Sequence, residues 1–594
     1  GGSRTSQNDE ALGNVSLEYK PLKGLTLRGV LGGNITSNQT HQFRKAIQYA
    51  YPGGGDNQNS VSDQYSRSLY LNPYVTANYQ LELFDDHEFE VLVGASSESY
   101  QTQFFGVTGL DVPGNDFGVI GNTSEILQSE TYGSANDWAI NSFFGRVGYT
   151  IADKYLFEAN LRYDGSSRFS EENRWGTFPS FSLGWVASNE PFFQPLKSVI
   201  SFAKIRASWG RLGNQDINDL YGYQSLVSAS PNIYAFGNVG VPGSFYSVSN
   251  ASRTWETTTM KNIGLDLSFM KDQLNVSIDV FDNLTEDILL QLPVPDVYGL
   301  GQPFQNAGSV RNRGWEVALD YRMSSGAVSH SFNVNVSDNL NEVVDLKGRE
   351  FISGGDVQTI LREGYPMYSY FALRSDGFFN SQEEVEGSAT PIFATSVKPG
   401  DIKYIDRNGD DEINYEDDRF IVGNPFPRYN FGFTYRAEWK GIDFSLFIQG
   451  VGKRSQWVRG EIVEAFHNSN EGPVFKQHLD RWTPVNTDAS YPRLTIGSES
   501  VNNAARSDFW IQDAKYLRIK NVQIGYTLPE VWTDKIGMSN ARFYLSGFNL
   551  WTFSPFNIGL DPEVNGSFNG GGAPYSGRVY PVSRVVSAGL DINF

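Results

Sequence analysis

The feature that most constrains this chain is a two-residue alternation of apolar and polar side chains that recurs in many separate segments. In 431–439 every odd-numbered residue is apolar, and the residues between them are small, polar or charged. Because successive side chains of a β-strand point to opposite faces, such a segment has one apolar and one mainly polar face. Lys440 and Gly441 then predict a tight turn into a second alternating strand, 442–449. The same pattern recurs in 155–163 and 203–209.

The connections between the predicted strands alternate between short and long along the whole chain. We trace about seventeen strands, each close to the length of about 9 to 11 residues that crosses a bilayer. Short links are predicted near 22–24, 83–86, 152–154, 271–273, 324–328 and 440–441. Long links are predicted near 37–64, 213–256, 346–428, 454–515 and 554–580. Membrane β-barrels show this asymmetry, so the prediction is all-β: a transmembrane antiparallel β-barrel rather than a soluble sandwich or propeller.

The end of the chain predicts the orientation of these strands. Apolar residues occupy every second position of the last strand and the chain finishes on Phe594. This ending resembles the final strand of outer-membrane proteins, which the insertion machinery reads. With Phe594 at the periplasmic rim, tracing the strands backwards places the long loops outside the cell and the short turns in the periplasm.

Composition excludes several classes of function. The absence of cysteine rules out disulfides, thiolate metal sites and cysteine nucleophiles. A net charge of -20 argues against a nucleic-acid partner, whose phosphates would be repelled. The five histidines form no zinc-binding pattern such as H-E-x-x-H, and no acidic pair has a spacing that defines an active site. The chain is therefore predicted not to be an enzyme.

A series of longer runs resembles the SusC/RagA-like branch of TonB-dependent transporters. The likeness extends over nearly the whole chain from about residue 140, and the runs occur in the order of that family. They are 163–169, 178–185, 205–210, 213–215, 255–256, 262–266, 306–308, 312–316, 516–521, 525–529, 547–551 and 561–563. The local role of most of these runs is strand, turn or rim structure.

The resemblance implies a barrel of 22 strands, the size associated with plugged outer-membrane transporters. The chain supplies about seventeen of these strands, so we interpret 1–594 as the C-terminal part of such a barrel. The N-terminal plug, the segment that contacts TonB and the first strands are expected to be absent from it. The hypothesis that follows is a fragment or one piece of a split chain, because an open sheet edge in lipid leaves backbone groups unpaired.

One loop within the long 346–428 region carries the spacing of a calcium-binding loop. In 406–417, oxygen-bearing side chains fall at positions 1, 3, 5, 9 and 12. Ca²⁺ takes six to eight oxygen ligands, and the predicted ligands are Asp406, Asn408, Asp410, the carbonyl of Glu412, and Asp417. Ile413 is expected to anchor the turn. Asp411 replaces the usual glycine and Asp417 the usual glutamate, so a solvated acidic turn is the alternative.

The function implied by the resemblance is TonB-dependent import of a nutrient, an oligosaccharide or a peptide, across the outer membrane of a Gram-negative, Bacteroidetes-like bacterium. The implied partners are a SusD-like surface lipoprotein that closes over the ligand, TonB acting through the N-terminal plug, and outer-membrane lipid. Three alternatives remain at this stage. They are a siderophore or cobalamin transporter without a lid, a passive porin or structural surface barrel, and a soluble secreted β-protein that binds glycans.

Overall fold

The structure is a computed structural model, and it describes residues 1–48, 55–56, 58–84, 86–216, 220–237, 239–246, 248–291, 297, 302–355, 357–467, 472–556, 558–563 and 582–594. Contact clustering divides the chain into two compact units. The first contains Gly1–Trp185, Ala207–Met260 and Thr285–Gly308, and the second contains Val186–Arg206, Lys261–Leu284 and Ser309–Phe594. Within the described part of the chain, no helix is both long and apolar enough to cross a membrane.

Seventeen long strands dominate the described residues. The first nine are β1 (Gly2–Leu22), β2 (Leu25–Arg44), β3 (Ser60–Leu83), β4 (His87–Leu110), β5 (Tyr132–Ile151), β6 (Tyr155–Ser166), β7 (Trp175–Val186), β8 (Ile200–Asn214) and β9 (Glu256–Phe269). The others are β10 (Leu274–Gln291), β11 (Phe304–Ser325), β12 (Val328–Asp345), β13 (Arg428–Trp439), β14 (Ile442–Lys453), β15 (Tyr516–Thr527), β16 (Asn540–Phe553) and β17 (Val585–Asn593). Their number agrees with the predicted count.

Two series of long strands pair in antiparallel ladders, and the short strand Glu125–Ile126 pairs with β4 in the first series. Consecutive strands pair antiparallel from β1 to β7 in the first part of the chain. The same order holds from β11 to β17. Two short α-helices lie in the connections, α1 (Gln382–Glu386) and α2 (Glu530–Thr533). Within each of these two series, each strand is thus a neighbour in space of the strand next to it in sequence, as in a meander.

Shorter elements occupy the long connections. The short strands are Ile47–Gln48, Gly55–Asp56, Val227–Phe236, Val239–Tyr246, Phe351–Ser353, Thr359–Leu361, Ser369–Leu373, Ser375–Phe378, Thr390–Pro391, Ile402–Tyr404, Glu412–Ile413, Arg419–Gly423, Ser455–Trp457 and Ile511–Asp513. The 3₁₀ turns are Ile120–Asn122, Gln128–Glu130, Ala187–Asn189, Pro191–Leu196, Lys476–Leu479, Gly497–Ser500, Asp508–Trp510 and Asp534–Ile536.

The two faces of the sheet have opposite chemistry. On β2 the odd-numbered residues Leu27, Leu31 and Ile35 are 38%, 57% and 41% exposed, which is the reverse of a soluble protein core. Charged residues lie on the other face, where Arg146 donates to Glu90 Oε1 over 3.0 Å in the first unit. In the second unit Arg206 forms two-pronged ion pairs with Asp266 and Asp279. One face is therefore suited to lipid and the other to water.

The predicted tight turns match the structure. Gaps of two to four residues separate β1 from β2, β3 from β4, β5 from β6, β9 from β10, β11 from β12 and β13 from β14. In the last of these, Lys440 and Gly441 have φ values of 46° and 86°, the left-handed pair that a two-residue hairpin of this twist requires. The predicted long links at 213–256, 346–428 and 454–515 also lie between consecutive long strands. Residues 557 and 564–580 of the predicted 554–580 link lie outside the described residues.

The predicted long loop at 37–64 is wrong. β2 continues to Arg44 and β3 begins at Ser60, with an unbroken register from Leu25 opposite Tyr79 to Arg44 opposite Ser60. The outer ends of these strands carry Ser, Asn, Gln, Thr and His, so they lack the apolar alternation that marks a membrane strand. A strand that has left the bilayer needs no apolar face, and its backbone ladder stabilises it without that signal.

The long connections of the second unit fold into a body with its own core, which we call the loop platform. It comprises the described residues of 346–427, 454–515 and 554–563. Its centre is a cluster of buried side chains that includes Tyr370, Leu373, Ile402, Trp457 and Trp510. Tyr370 meets Trp457 edge-on, with 5.6 Å between the ring centroids. The loop platform is thus a packed structure and not a set of independent loops.

Candidate functional site

The predicted calcium loop lies on the surface of the loop platform. Asp406 accepts hydrogen bonds from the backbone N–H groups of Gly409 and Asp411, over 2.7 and 2.9 Å. Asp410 accepts from the side chain of Asn408 over 2.9 Å and from the backbone of Glu412 over 3.0 Å. Asp406, Asn408 and Asp410 therefore each form hydrogen bonds within the same turn. Ca²⁺ would replace part of this network with direct oxygen coordination.

Asp417 does not join this group, and the neighbouring Asp418 has a role that the sequence did not reveal. Asp417 is exposed, and its carboxylate lies 3.5 Å from the amide nitrogen of Asn414. Asp418 is fully buried and accepts from the backbone N–H groups of Arg407 and Asn414, over 2.9 and 2.8 Å. Within the described residues, no three His, Cys, Asp or Glu side chains converge as a metal site. Calcium binding by Asp406, Asn408, Asp410, Glu412 and Asp417 stays a prediction.

Ile413 anchors the calcium-like loop in the core, as predicted. Its side chain is 1% exposed, and Glu412–Ile413 pairs in parallel with Thr390–Pro391. The next residue but one, Tyr415, stacks on Phe393 with 5.0 Å between ring centroids. Any change in the conformation of the loop is therefore transmitted to the core of the loop platform.

A buried ion pair joins two other segments of the loop platform. Asp401 is completely buried and receives a two-pronged contact from Arg493, over 2.7 and 3.1 Å. The amide of Asn503 donates to the same carboxylate over 2.8 Å. Burial lowers the pKa of Arg493, but its hydrogen bonds to Asp401 and Glu499 outweigh that effect, so the pKa lies above its ordinary value. Arg493 and Asp401 therefore form a charged pair, and Asn503 donates a further hydrogen bond to the same carboxylate.

A second buried charge group contains Arg459, Glu464 and His467. Arg459 donates to one oxygen of Glu464, and His467 Nδ1 lies 2.6 Å from the other. Burial raises the pKa of Glu464, but its contacts with His467 and Arg459 outweigh burial, so the pKa is below its ordinary value. The pKa of His467 is raised, chiefly by its hydrogen bond to Glu464. His478, almost fully buried nearby in sequence, has a lowered pKa because burial disfavours its charged form.

Two of the quoted sequence runs meet at the outer end of β15. Arg518 is 1% exposed and donates to Asp561 and Glu563, with distances of 2.7 and 2.8 Å. Lys520 also donates to Glu563 over 2.8 Å, and Arg454 donates to the carbonyl of Pro562 over 2.7 Å. Sequence spacing did not reveal this contact, because 43 residues separate Arg518 from Asp561. The cluster fastens 561–563 to the strand.

Other runs meet in the first unit. Phe169, Phe178 and Trp255 form a small buried cluster, and the indole N–H of Trp255 donates to the carbonyl of Arg174 over 3.0 Å. Ser166 donates to Gln215 through its hydroxyl. The runs 163–169, 178–185, 213–215 and 255–256 are thus parts of one junction where strand ends meet the loops. The chemistry of these runs is structural.

Comparison with known proteins identifies the family. The family model described as "TonB dependent receptor-like, beta-barrel" matches residues 1–550. This chain belongs to that family. A TonB-dependent receptor of Formosa agariphila is 30% identical over 98% of the chain and 59% of its own length. The TonB-dependent receptor SusC of Bacteroides thetaiotaomicron is 26% identical over 99% of the chain and 56% of its own length. The predicted SusC/RagA-like resemblance is confirmed.

Solved structures agree on the fold. The RagAB peptide transporter matches the whole chain with a TM-score of 0.84 at 22% identity, and the chain covers 62% of that structure's chain. The chain therefore spans about three-fifths of the length of the proteins it matches. The seventeen strands are strands of an outer-membrane β-barrel, and the predicted location is confirmed. Members of this family are receptors and transporters and not enzymes, which also confirms the non-enzymatic prediction and removes the soluble glycan-binding alternative.

Proposed function

We propose that this chain forms barrel wall and outer loops of a TonB-dependent transporter that imports an oligosaccharide or a peptide beneath a SusD-like lipoprotein. The observation that carries the proposal lies in the second unit, where a charged sheet face and a packed loop platform occur together. The name of the RagAB peptide transporter supports the peptide class. The oligosaccharide class rests on the SusC/RagA-like family resemblance. A passive porin needs the polar face but has no need of such a platform.

The charged face suits a hydrated path for a polar ligand. Arg206 bridges Asp266 and Asp279, Arg542 bridges to Asp443 over 2.6 and 2.8 Å, and Arg311 pairs with Asp282. Because the charges are paired, the face is polar but does not carry a strong electrostatic potential of one sign. A neutral sugar or a peptide of either charge can therefore pass without strong trapping.

The loop platform carries the features expected of a surface that receives a partner protein. Several large apolar side chains of 454–515 are exposed although the platform core is well packed. They are Val474, Phe475, Leu479, Val485, Ile496 and Val501, with exposures of 41%, 40%, 68%, 97%, 60% and 41%. Exposed apolar groups on a rigid body are typical of protein interfaces. The partner that fits the proposed function is the lipoprotein lid.

The lid interface is testable with a charge substitution. Leu479→Asp is expected to reduce copurification of a surface lipoprotein with the transporter at least about tenfold, because a carboxylate must be desolvated at the interface. Val531→Asp is the matched control, since Val531 is also 68% exposed but lies within α2 in the link between β15 and β16. Equal recovery of the lipoprotein with both variants would reject the loop platform as the lid surface.

Uptake measurements test the transport proposal itself. Cells that lack the gene are complemented with the whole protein, and entry of labelled oligosaccharides and labelled peptides is followed with and without a protonophore. We expect uptake of one class, lost without TonB or the proton gradient. Uptake that survives both losses would indicate a passive pore. Uptake of a ferric siderophore alone, with no lipoprotein bound, would favour the transporter class without a lid.

A calcium ion in 406–417 is a separate part of the proposal. We propose that Asp406, Asn408 and Asp410 provide side-chain oxygens and that Glu412 provides its carbonyl, with Asp417 closing the shell. The grouping of the first three side chains supports the proposal. Such an ion would stiffen the outer surface of the loop platform and would take no part in chemistry.

A further inference from the structure

We propose that the lipid-facing side of β1 to β4 carries a binding groove for the sugar headgroup of an outer-leaflet glycolipid. The groove has a volume of about 380 Å³ and lies near the outer ends of these strands. Its lining consists of Thr5, Gln7, Gln39, Thr40, His41, Asp63, Gln64, Tyr65 and Phe105. The volume lies within the range of about 300 to 1,000 Å³ of small-ligand pockets.

The register shows which face of the sheet the groove occupies. Gln39 and His41 share the odd-numbered face of β2 with the exposed apolar residues Leu27, Leu31 and Ile35. The ladder between β2 and β3 is continuous over this whole length, so the face does not change. Gln39 lies four residues beyond Ile35, which places it about 13 Å farther from the periplasm along the strand. The groove therefore begins where the apolar surface ends.

A cap covers the strand residues next to the groove on its outer side. Residues 111–122 fold back over Phe43 and Val61, which follow His41 and precede Asp63 on the same face and are 6% and 0% exposed. Asn59 fixes the cap through its side chain, accepting from Val112 N–H over 2.7 Å and donating to the Val112 and Gly114 carbonyls over 2.9 and 2.8 Å. The cap is thus held next to the groove by hydrogen bonds and by buried apolar contacts, and the apolar surface of the strands lies on the other side of the groove.

The lining chemistry fits a sugar ring. Tyr65 and Phe105 lie side by side, with 5.3 Å between their centroids, and Phe105 is 54% exposed. Exposed aromatic faces bind the C–H surface of a sugar ring. His41 Nδ1 lies 2.7 Å from Asp63 Oδ1. Gln7 and Gln39 are opposite each other in the register of β1 and β2, and the Gln7 amide donates to Asp9 over 3.0 Å. Carboxylate, imidazole and amide groups together supply the donors and acceptors that hydroxyl groups need.

The position of the groove, at the outer edge of the apolar surface, favours a glycolipid over a free sugar as its ligand. The outer leaflet of a Gram-negative outer membrane is built from lipopolysaccharide, whose sugars lie directly above its acyl chains. The exposed Arg67, on the same face of β3 between Tyr65 and Leu69, is placed to meet an anionic headgroup at this level. The apolar row then meets the acyl chains of the same molecule. This inference rests on the outer-membrane location and is independent of the imported ligand.

The test measures lipopolysaccharide retained by the transporter purified from outer membranes with its native partners. Phe105→Ala, and separately Gln39→Ala combined with His41→Ala, should each lower the molecules retained per chain at least about threefold, because ring contact or hydroxyl contacts are lost. Phe143→Ala is the matched control, since Phe143 is 57% exposed on the same face of β5 but stands in the apolar band, opposite Ala95. The control should retain the wild-type amount.

Three results would overturn the proposal. The first is unchanged retention of lipopolysaccharide in both groove variants, with heat-modifiable migration confirming that each is folded. The second is binding of the delipidated core oligosaccharide as tightly as the intact glycolipid, which would make the groove a site for free saccharide. The third is a change of oligomeric state in the groove variants at constant lipopolysaccharide, which would assign this face to a second copy of the chain.

Discussion

The long strands at the start of the chain and the loop platform near its end extend beyond the membrane band in different ways. β3 and β4 are 24 residues long, more than twice the length needed to cross a bilayer, and their outer halves are held mainly by the backbone ladder. β13, β14 and β15 have 12 residues each, and the connections between them pack around a hydrophobic core. Stability in the first region comes from hydrogen bonds, and in the second from buried side chains.

The largest expected difference concerns tryptophan. Trp457 is completely buried in the core of the loop platform, whereas Trp551 on β16 is 55% exposed. Trp457→Ala should destabilise the loop platform by about 3 to 5 kcal/mol, because it removes a large buried side chain and leaves a cavity. Trp551→Ala should cost much less. Proteolysis of 346–427 in detergent measures the effect, and equal protection of the two variants would show that the platform has no independent core.

Replacement of the arginine in the buried ion pair should have the next largest effect on the stability of the loop platform. Arg493→Met leaves the buried carboxylate of Asp401 without its main partner, which costs about 3 kcal/mol or more. Lys20→Met is the control in the other region, since Lys20 and Glu18 form an ion pair on β1 with side chains 67% and 47% exposed. Exposed pairs contribute little to stability, because water and salt screen the two charges. Thermal unfolding that shifts equally in both variants would contradict the contrast between the regions.

The same contrast explains what the sequence predicts and what it leaves out. The tight turns and the membrane strands follow from two-residue periodicity, because lipid demands an apolar face at every second position. The outer ends of β2 and β3 were missed, since a polar strand in water carries no such pattern. The meeting of Arg518 with Asp561 was missed because it depends on how distant segments pack. In the calcium-like loop the spacing predicted Asp417 as a calcium ligand. The structure shows that the neighbouring Asp418 is the buried aspartate of this loop.

A pair of adjacent aspartates separates structural from metal-binding roles in the loop platform. Asp418→Asn should destabilise the platform by about 1 to 3 kcal/mol, because an amide N–H₂ would face backbone N–H groups at a buried site. Asp417→Asn should change stability by less than about 0.5 kcal/mol without calcium, since Asp417 is exposed. If calcium binds as proposed, the ion should protect 406–418 from proteolysis in the wild type and less so in Asp417→Asn. Protection that is the same with calcium or a chelator would remove the ion from the loop.

The smallest expected effect is a pH dependence confined to the loop platform, where His467 and His478 act in opposite directions. The pKa of His467 is raised above 6.5 by Glu464, so its stabilising contribution is complete below 6.5 and is lost as pH rises through the raised value. Glu461 favours and Arg459 opposes the charged form of this histidine. Burial lowers the pKa of His478, so its contribution is complete above 6.5 and declines as pH falls. Protection of the platform from proteolysis should be greatest near pH 6.5, and should fall both as the pH rises through the raised pKa of His467 and as it drops below 6.5. His467→Gln should remove the loss on the alkaline side and leave the acid side unchanged, whereas the outer ends of β3 and β4 should show no matching maximum. A maximum that persists unchanged in His467→Gln would assign the pH dependence to another group.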